Sequence, residues 1–347
     1  MTASTAGEPY TAAGAVQLSA PAKLTLSLRV TGVRPDGYHD IDAEMVSLDL
    51  HDSLVIEPGT GLTVHFELPA APGQVGVPSG PNNLVAKALR AVGRESRVRL
   101  TKRIPPGAGL GGGSSNAAAV LRWAGCTDLD LAARLGADVP FCVVGGRARV
   151  RGIGESVDPL PYEERRFVLL LPPFGVNTAA VYRAWDRLSR SEGIDQGRTD
   201  EGPVTVGPVT VGPVGGGQVG VGPVAEGKVR DGQVVVGPVA EGQVRDGQVG
   251  VGPVAESRVG DGPGGKNDLE AAALHVEPRL AAWRDRFAEV GGARPLLAGS
   301  GSTWFLEGTP AELGIEGQAF LRVGAAKGAL VPVRTVREDY SPPDHTR

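Results

Sequence analysis

Between Thr199 and Gly265 the chain contains no aromatic residue, no leucine and no isoleucine. It repeats itself instead. From Glu201 it runs through GPVTVGPVTVGPV with a five-residue period, and then through VGPVAE units that start at Val221, Val236 and Val251, fifteen residues apart. Glycine and proline every few positions interrupt both helix formation and strand pairing. Valine alone leaves too little side chain to offset the entropy of ordering. The segment is expected to be a disordered, low-complexity insertion, with a loose β-rich solenoid as the alternative. A chain interrupted in this way must build its core from the flanks. Those flanks amount to about 280 residues, enough for two domains of ordinary size. The expected boundaries are 14–160 for the first domain, 161–198 with 266–337 for the second, and 199–265 for the insertion.

Composition narrows the function classes. Hydrophobic residues make up 41% and aromatics only 5%, so the core must rest on Val, Leu and Ala. The net charge is -4 with no basic block, which argues against nucleic acid as a partner. The two cysteines, Cys126 and Cys142, lie in no CxxC or Cys/His cluster, so neither a disulfide framework nor a structural zinc is expected. Met1–Tyr10 carries no Lys or Arg and no apolar run, unlike a signal peptide. The most apolar run, Phe167–Leu171, is far too short to span a bilayer. The expectation is a soluble cytoplasmic protein with no membrane partner.

Periodicity places the elements. Val16–Leu28 alternates as a strand, and strands at Ala43–Ile56 and Leu62–Leu68 extend it into an antiparallel arrangement. Asn83–Val92 has helical spacing, Val98–Ile104 reads as a strand, and Ser114–Ala124 as an Ala-rich helix. Phe167–Leu171 reads as a buried strand. Asn177–Leu188 reads as a helix capped by Asn177 or Thr178. Asp268–His275 is helical, and Leu280, Trp283, Phe287 and Val290 form the apolar stripe of another helix. Short strands are expected at Arg294–Leu297, Ser302–Leu306 and Leu330–Val336. Strands and helices mix without regular βα alternation, so the fold class is α+β.

Pro105-Pro106-Gly107-Ala108-Gly109-Leu110-Gly111-Gly112-Gly113-Ser114-Ser115-Asn116 falls between a strand and a helix. Glycines allow successive N–H groups to point into one concavity. The helix that follows adds its free N-terminal amides and the positive end of its dipole. Together these make a phosphate cradle, to which Ser114 and Ser115 can add hydroxyl donors. Gly107, Gly109 and Gly112 match GxGxxG, a weak signal alone. Two prolines precede it, and the helix is expected to start only after the last glycine, which does not suit a dinucleotide-binding turn. A Walker A loop would need a Lys followed by Ser or Thr after the final glycine, and there is none. A purely structural glycine turn is the bland alternative.

GAGLGGGSSNAAA resembles the central phosphate-binding motif of the GHMP kinases (galactokinase, homoserine, mevalonate and phosphomevalonate kinases). Ala20-Pro21-Ala22-Lys23-Leu24, followed by Arg34-Pro35-Asp36-Gly37-Tyr38-His39, resembles the N-terminal signature of the diphosphocytidyl-methylerythritol kinases within that superfamily. Gly136-Ala137-Asp138-Val139-Pro140-Phe141 resembles their catalytic aspartate motif. Ala298-Gly299-Ser300-Gly301-Ser302-Thr303 resembles the C-terminal glycine motif, and Asn267-Asp268-Leu269-Glu270 fits too. The resemblance runs from about Val16 to Val336. It implies a two-domain GHMP kinase fold, with an N-terminal domain like the second domain of ribosomal protein S5 and a ferredoxin-like C-terminal domain. It also implies ATP-dependent phosphorylation of the 2-hydroxyl of diphosphocytidyl-methylerythritol, in the non-mevalonate isoprenoid route.

The same resemblance assigns roles. ATP would be held by Pro106, Gly107, Ala108, Gly109, Leu110, Gly111, Gly112, Gly113, Ser114 and Ser115, with Asn83 near the adenine. Asp138 would be the catalytic base, although read alone an Asp before Val-Pro is more often a turn or cap residue. Lys23 would be its partner. Read alone, a Lys between Ala22 and Leu24 either faces outward or needs a counter-charge. Tyr38, His39 and Tyr182 would take the cytosine of the acceptor, with Thr25 and Thr178 as further acceptor contacts. Without the resemblance, Tyr182 is a core aromatic and Tyr38-His39 a turn.

Two positions depart from the family pattern. Thr25 stands where Asn is common, and Asn116 where Asp or a similar residue is common. Asn116 is expected to cap the helix with one negative charge fewer. No protein ligand set for a metal is legible, so Mg2+ would be held largely by ATP phosphates and water. A monomer or homodimer is expected. The alternatives are another GHMP kinase, acting on mevalonate, homoserine or a sugar, and a non-catalytic kinase-like sensor or scaffold.

Overall fold

The computed structural model describes residues 14–67, 77–191 and 267–340. The repeat between Thr199 and Gly265, and the reading of it as disordered or solenoidal, lie outside those residues.

A long antiparallel hairpin comes first, β1 (Val16–Val33) with β2 (His39–Glu57). Its turn is built from the Arg34–His39 motif. Gly37 adopts φ +85°, open to glycine at little cost, and its amide donates to Arg34 O. Asp36 Oδ1 accepts from Tyr38 N. Arg34 ties the turn down through Asp40 at 2.7 Å and Glu155 at 2.8 Å. The ladder is irregular between Pro21 and Lys23, because proline has no N–H to contribute. Past this break Lys23 N is free to bond elsewhere.

β2 is the hub of the first sheet. One end pairs with β4 (Arg97–Lys102) and the other with β5 (Arg147–Gly152), which carries β6 (Ser156–Leu160). β3 (Gly61–Phe66) runs parallel to β4, contrary to the antiparallel arrangement expected of it, because α1 (Leu84–Ala91) carries the chain back between the two. Helices α1, α2 (Gly112–Trp123), α3 (Leu129–Leu135) and α4 (Val139–Val144) supply the rest of this half. Ala117–Leu121, Val85, Ala88 and Phe141 are buried with Leu54, Ile56, Val98 and Leu100 of the strands.

The second sheet is antiparallel, in the order β10 (Phe320–Val323), β11 (Ala326–Arg334), β7 (Arg166–Leu171), β9 (Trp304–Glu307), β8 (Leu296–Leu297). Helices α5 (Thr178–Ser191), α6 (Glu270–Val276) and α7 (Arg279–Gly291) accompany it. Asn177 Oδ1 accepts from Ala180 N, so Asn177 is the cap of α5.

β7 explains its own continuous apolar run. Val168 and Leu170 join the larger core with Trp283 and Phe287 of α7. Phe167, Leu169 and Leu171 point the other way, into a second cluster with Ala22, Leu24 and Leu26 of β1, Ile104, Ala108, Leu110 and Ala298. Both faces are buried, so no polar position interrupts it. The glycine-rich segment enters that second cluster, which joins the two sheets.

One boundary needs correction. α2 begins at Gly112, inside the glycine run, and not after Gly113. Gly112 and Gly113 adopt ordinary negative φ, and Ser115 N donates to Gly111 O, closing the first helical bond. Helix onset therefore does not argue against a dinucleotide-binding turn. The sheet does, since β4, the strand that leads into the loop, is antiparallel to the central β2.

Candidate functional site

The segment Pro105–Gly113 is held by its carbonyls. Val176 N donates to Gly107 O at 3.2 Å, Thr303 N to Ala108 O at 3.2 Å, and Lys23 N to Leu110 O at 3.0 Å. The last of these uses the donor released by the break at Pro21. Among the described residues, the amides of Gly107, Gly109, Leu110, Gly111, Gly112, Gly113 and Ser114 donate to no other group. A loop whose acceptors are taken and whose donors remain open is a site for an anion.

Close packing fixes the loop against its neighbours. Gly109 has φ +82°, and a Cβ there would lie 2.5 Å from Ala298 O and 2.7 Å from Gly301 Cα. Gly111, at φ +64°, leaves room for the Lys23 stem, since a Cβ there would lie 2.6 Å from Lys23 Cγ. The opposing turn Gly299–Thr303 is positioned by Asn267, whose Nδ2 donates to Leu297 O at 2.9 Å and Gly299 O at 2.6 Å. Ser300 Oγ donates to Thr178 Oγ1 at 3.0 Å, linking that turn to the start of α5.

Lys23 is buried, with its ammonium beside Gly299 and Thr25. Its Nζ donates to Thr25 Oγ1 at 3.0 Å and lies 3.4 Å from Asp138 Oδ2. Asp138 occupies the N-cap position of α4, but its side chain makes no capping bond. The carboxylate is one-third exposed and faces Lys23 instead. Gly136, two residues earlier, lies beside Ser114; a Cβ there would be 3.9 Å from Ser114 Oγ. Lys23, Thr25, Asp138, the open amides and Ser114 thus converge. Ser115 does not face the same way, because its Oγ donates to Pro21 O at 2.6 Å. Asn83 is committed as the cap of α1, accepting from Val85 N at 2.8 Å and donating to Pro78 O at 2.7 Å.

Tyr38 and His39 diverge at the hairpin tip. Tyr38 is 58% exposed, and its ring stacks on no other among the described residues. The His39 ring packs on Tyr182, centroids 4.7 Å apart, and edge-on to Trp185 at 5.5 Å. His39 Nε2 lies 2.7 Å from Asp186 Oδ1. Burial, helped by the negative charge of Asp138, pushes the Tyr182 hydroxyl pKa well up, so it stays protonated. Burial, and then Asp138, pushes the neighbouring Cys142 thiol up to about 12. It is an inert thiol.

Asn116 is not the expected helix cap. It is the fifth residue of α2 and is buried, donating to Asp52 at 2.9 Å and accepting from Lys102 at 3.2 Å. Asp52, Lys102, Trp185 and Asp186 were not legible as neighbours of these motifs. The signals were an Asp inside β2, in phase with its buried apolar residues Leu54 and Ile56, and a Lys at the end of β4. Among the described residues no group of three potential metal-ligating side chains occurs, and no helix is long and apolar enough to cross a membrane.

Residues 83–146 match the GHMP kinases N terminal domain. A 4-diphosphocytidyl-2-C-methyl-D-erythritol kinase of Paracoccus denitrificans is 45% identical over 174 residues, 49% of this chain and 60% of that protein. The enzyme of the same name from Pelotomaculum thermopropionicum is 44% identical over 184 residues, 48% of this chain and 62% of that protein. The chain thus spans about three-fifths of the length of the curated relatives it matches. A crystal structure of 4-(cytidine 5'-diphospho)-2C-methyl-D-erythritol kinase superposes with TM-score 0.51 at 29% identity, over 84% of this chain and 89% of that one. The chain has the α+β fold of the GHMP kinases.

Proposed function

We propose that the chain is an ATP-dependent kinase that phosphorylates the 2-hydroxyl of 4-diphosphocytidyl-2-C-methyl-D-erythritol. The observation that carries this is the approach of Lys23 to Asp138, 3.4 Å apart, beside a glycine loop whose amides are open. The named relatives support the choice of acceptor.

In this reading the open amides between Gly107 and Ser114, at the N-terminus of α2, bind the ATP phosphates, with Ser114 Oγ as an additional donor. ATP supplies the γ-phosphoryl group. Asp138 orients the acceptor hydroxyl and takes its proton as the oxygen bonds to phosphorus and the bond to the ADP oxygen breaks. Lys23 offsets the negative charge that gathers there, and Thr25 Oγ1 holds its ammonium in place. Mg2+ would enter on the phosphates, with water completing its shell. His39 and Tyr182, with Tyr38 at the open lip, form the side to which the cytosine is assigned. The same reading assigns 14–160 to one domain and 161–198 with 266–337 to the other, with one described sheet in each.

The test is ADP release with Mg2+, ATP and each of 4-diphosphocytidyl-2-C-methyl-D-erythritol, mevalonate and homoserine, with phosphorus NMR of the product. A new phosphate monoester on the first acceptor alone is expected. Turnover of another acceptor only, or of none, would reject the reading.

A further inference from the structure

The most completely bonded carboxylate of the first sheet is not in the candidate site. Asp52 lies on β2, fully buried. The β2–β4 ladder ends at Ser53↔Thr101, and Asp52 takes over at the next step. Its Oδ1 accepts from Arg103 N at 2.7 Å and Ile104 N at 2.9 Å, the first two residues after β4. Its Oδ2 accepts from Lys102 Nζ and from Asn116 Nδ2. Lys102 Nζ also donates to Asn116 Oδ1.

One carboxylate therefore grips both ends of the glycine loop, the strand exit before it and the helix after it. The Lys102 ammonium lies directly under the first residue of α2, where a Cβ on Gly112 would be 2.9 Å from Nζ. A cation there adds to the positive end of the helix dipole. Asp52 balances it without occupying the loop's open face, and Asn116 serves as donor to one partner and acceptor to the other. An Asp at 116 could accept but not donate, and would set two carboxylates around one ammonium.

We propose that Asp52 is a positioning residue for the nucleotide, acting through Lys102 and Asn116 to hold the glycine loop in its phosphate-binding shape. The proposal rests on reading that loop as the ATP site. Asp52 touches no substrate. Its effect is to fix the strand exit and the start of α2 relative to each other, so that the open amides converge before ATP arrives.

Calorimetric binding of ATP and thermal unfolding are measured on the parent, Asp52→Asn, the double variant Asp52→Asn/Lys102→Met, and Asn116→Ala. Asp52→Asn strands a buried ammonium and should lower both stability and affinity. The double variant removes that stranded charge, so its melting temperature should recover towards the parent while its ATP affinity stays about tenfold or more weaker. Asn116→Ala keeps the charges balanced and cuts only the link to α2, so it carries the test should the double variant not fold. About tenfold weaker ATP binding is expected there too. Affinity within about twofold of the parent in either folded variant would overturn the proposal. Failure of the parent itself to bind ATP would instead overturn the reading of the loop on which it rests.

Discussion

Lys23 Nζ and Asp138 Oδ2 stand 3.4 Å apart because two local irregularities coincide. Pro21 breaks the β1–β2 ladder just before Lys23, and Asp138 sits at a helix start without capping it. Each residue is released from the bond its element would ordinarily demand, and the two turn towards each other beside the glycine loop.

Asp138→Asn follows from that pair. The carboxamide is nearly isosteric and the side chain is one-third exposed, so the fold should survive. The loop amides are untouched, so ATP affinity should hold. Turnover should fall by about a hundredfold or more, the usual loss for a general base. Steady-state kinetics alongside calorimetric ATP binding checks this, and near-parental turnover would remove Asp138 from the base role.

Gly109→Ala tests the loop by shape. The added methyl would meet Ala298 O and Gly301 at 2.5–2.7 Å, on a backbone at φ +82° that L side chains rarely adopt. Overpacking of this kind costs about 1–3 kcal/mol, before the backbone strain is added. A lower melting temperature is expected together with weaker ATP binding. Gly93→Ala is the control for φ, since Gly93 has φ +63° with open space around it. That variant should lose stability without loss of ATP affinity.

The glycine loop was legible because its chemistry is local, a run of small residues between a strand and a helix. Its helix start was not, because the decisive bond, Ser115 N to Gly111 O, depends on the φ that Gly112 and Gly113 adopt. β5 was missed although Arg147–Gly152 alternates. Its arginines reach carboxylates on the neighbouring strand, Arg147 to Glu44 and Arg149 to Asp42, and register is not visible in one strand. α3 and α4 are short, and α4 opens on Val139-Pro140, which reads as a turn. β10 is a four-residue edge strand with Phe320 exposed, too brief for periodicity to show. The Asp52–Lys102–Asn116 group needs three elements brought together, so the sequence alone carries only unexplained polar residues in apolar company.

Tyr38→Ala separates acceptor from donor. Tyr38 is 58% exposed, so the melting temperature should barely move. With its ring closed on the cytosine, its loss should cost about 1–3 kcal/mol, roughly 5- to 150-fold in the acceptor KM, with KM for ATP unchanged. Tyr182→Ala should behave differently, because that ring is partly buried, packed on His39 and the core, and its loss also lowers stability. A rise in KM for ATP with Tyr38→Ala would move that ring to the nucleotide side.

Cys142 provides a readout independent of turnover. Burial raises its pKa from 9.0 to about 12, with Asp138 adding to the rise while Lys23 and Arg122 oppose it. A thiol whose folded pKa lies above its unfolded value favours the folded state only while it stays protonated. Its contribution is therefore full below about pH 9 and is lost as pH climbs from 9.0 towards about 12. The urea midpoint should fall through that window, and Cys142→Ala should flatten part of the fall. At pH 8 a thiol reagent should label Cys126, which is partly exposed, and leave Cys142 unmodified until urea unfolds the chain. Asp138→Asn removes one of the charges that raise the thiol pKa, so Cys142 should then ionise at a lower pH than in the parent. Rapid labelling of both thiols in the native parent would contradict the packing of α4 against the site, and with it the placement of Asp138 opposite Lys23.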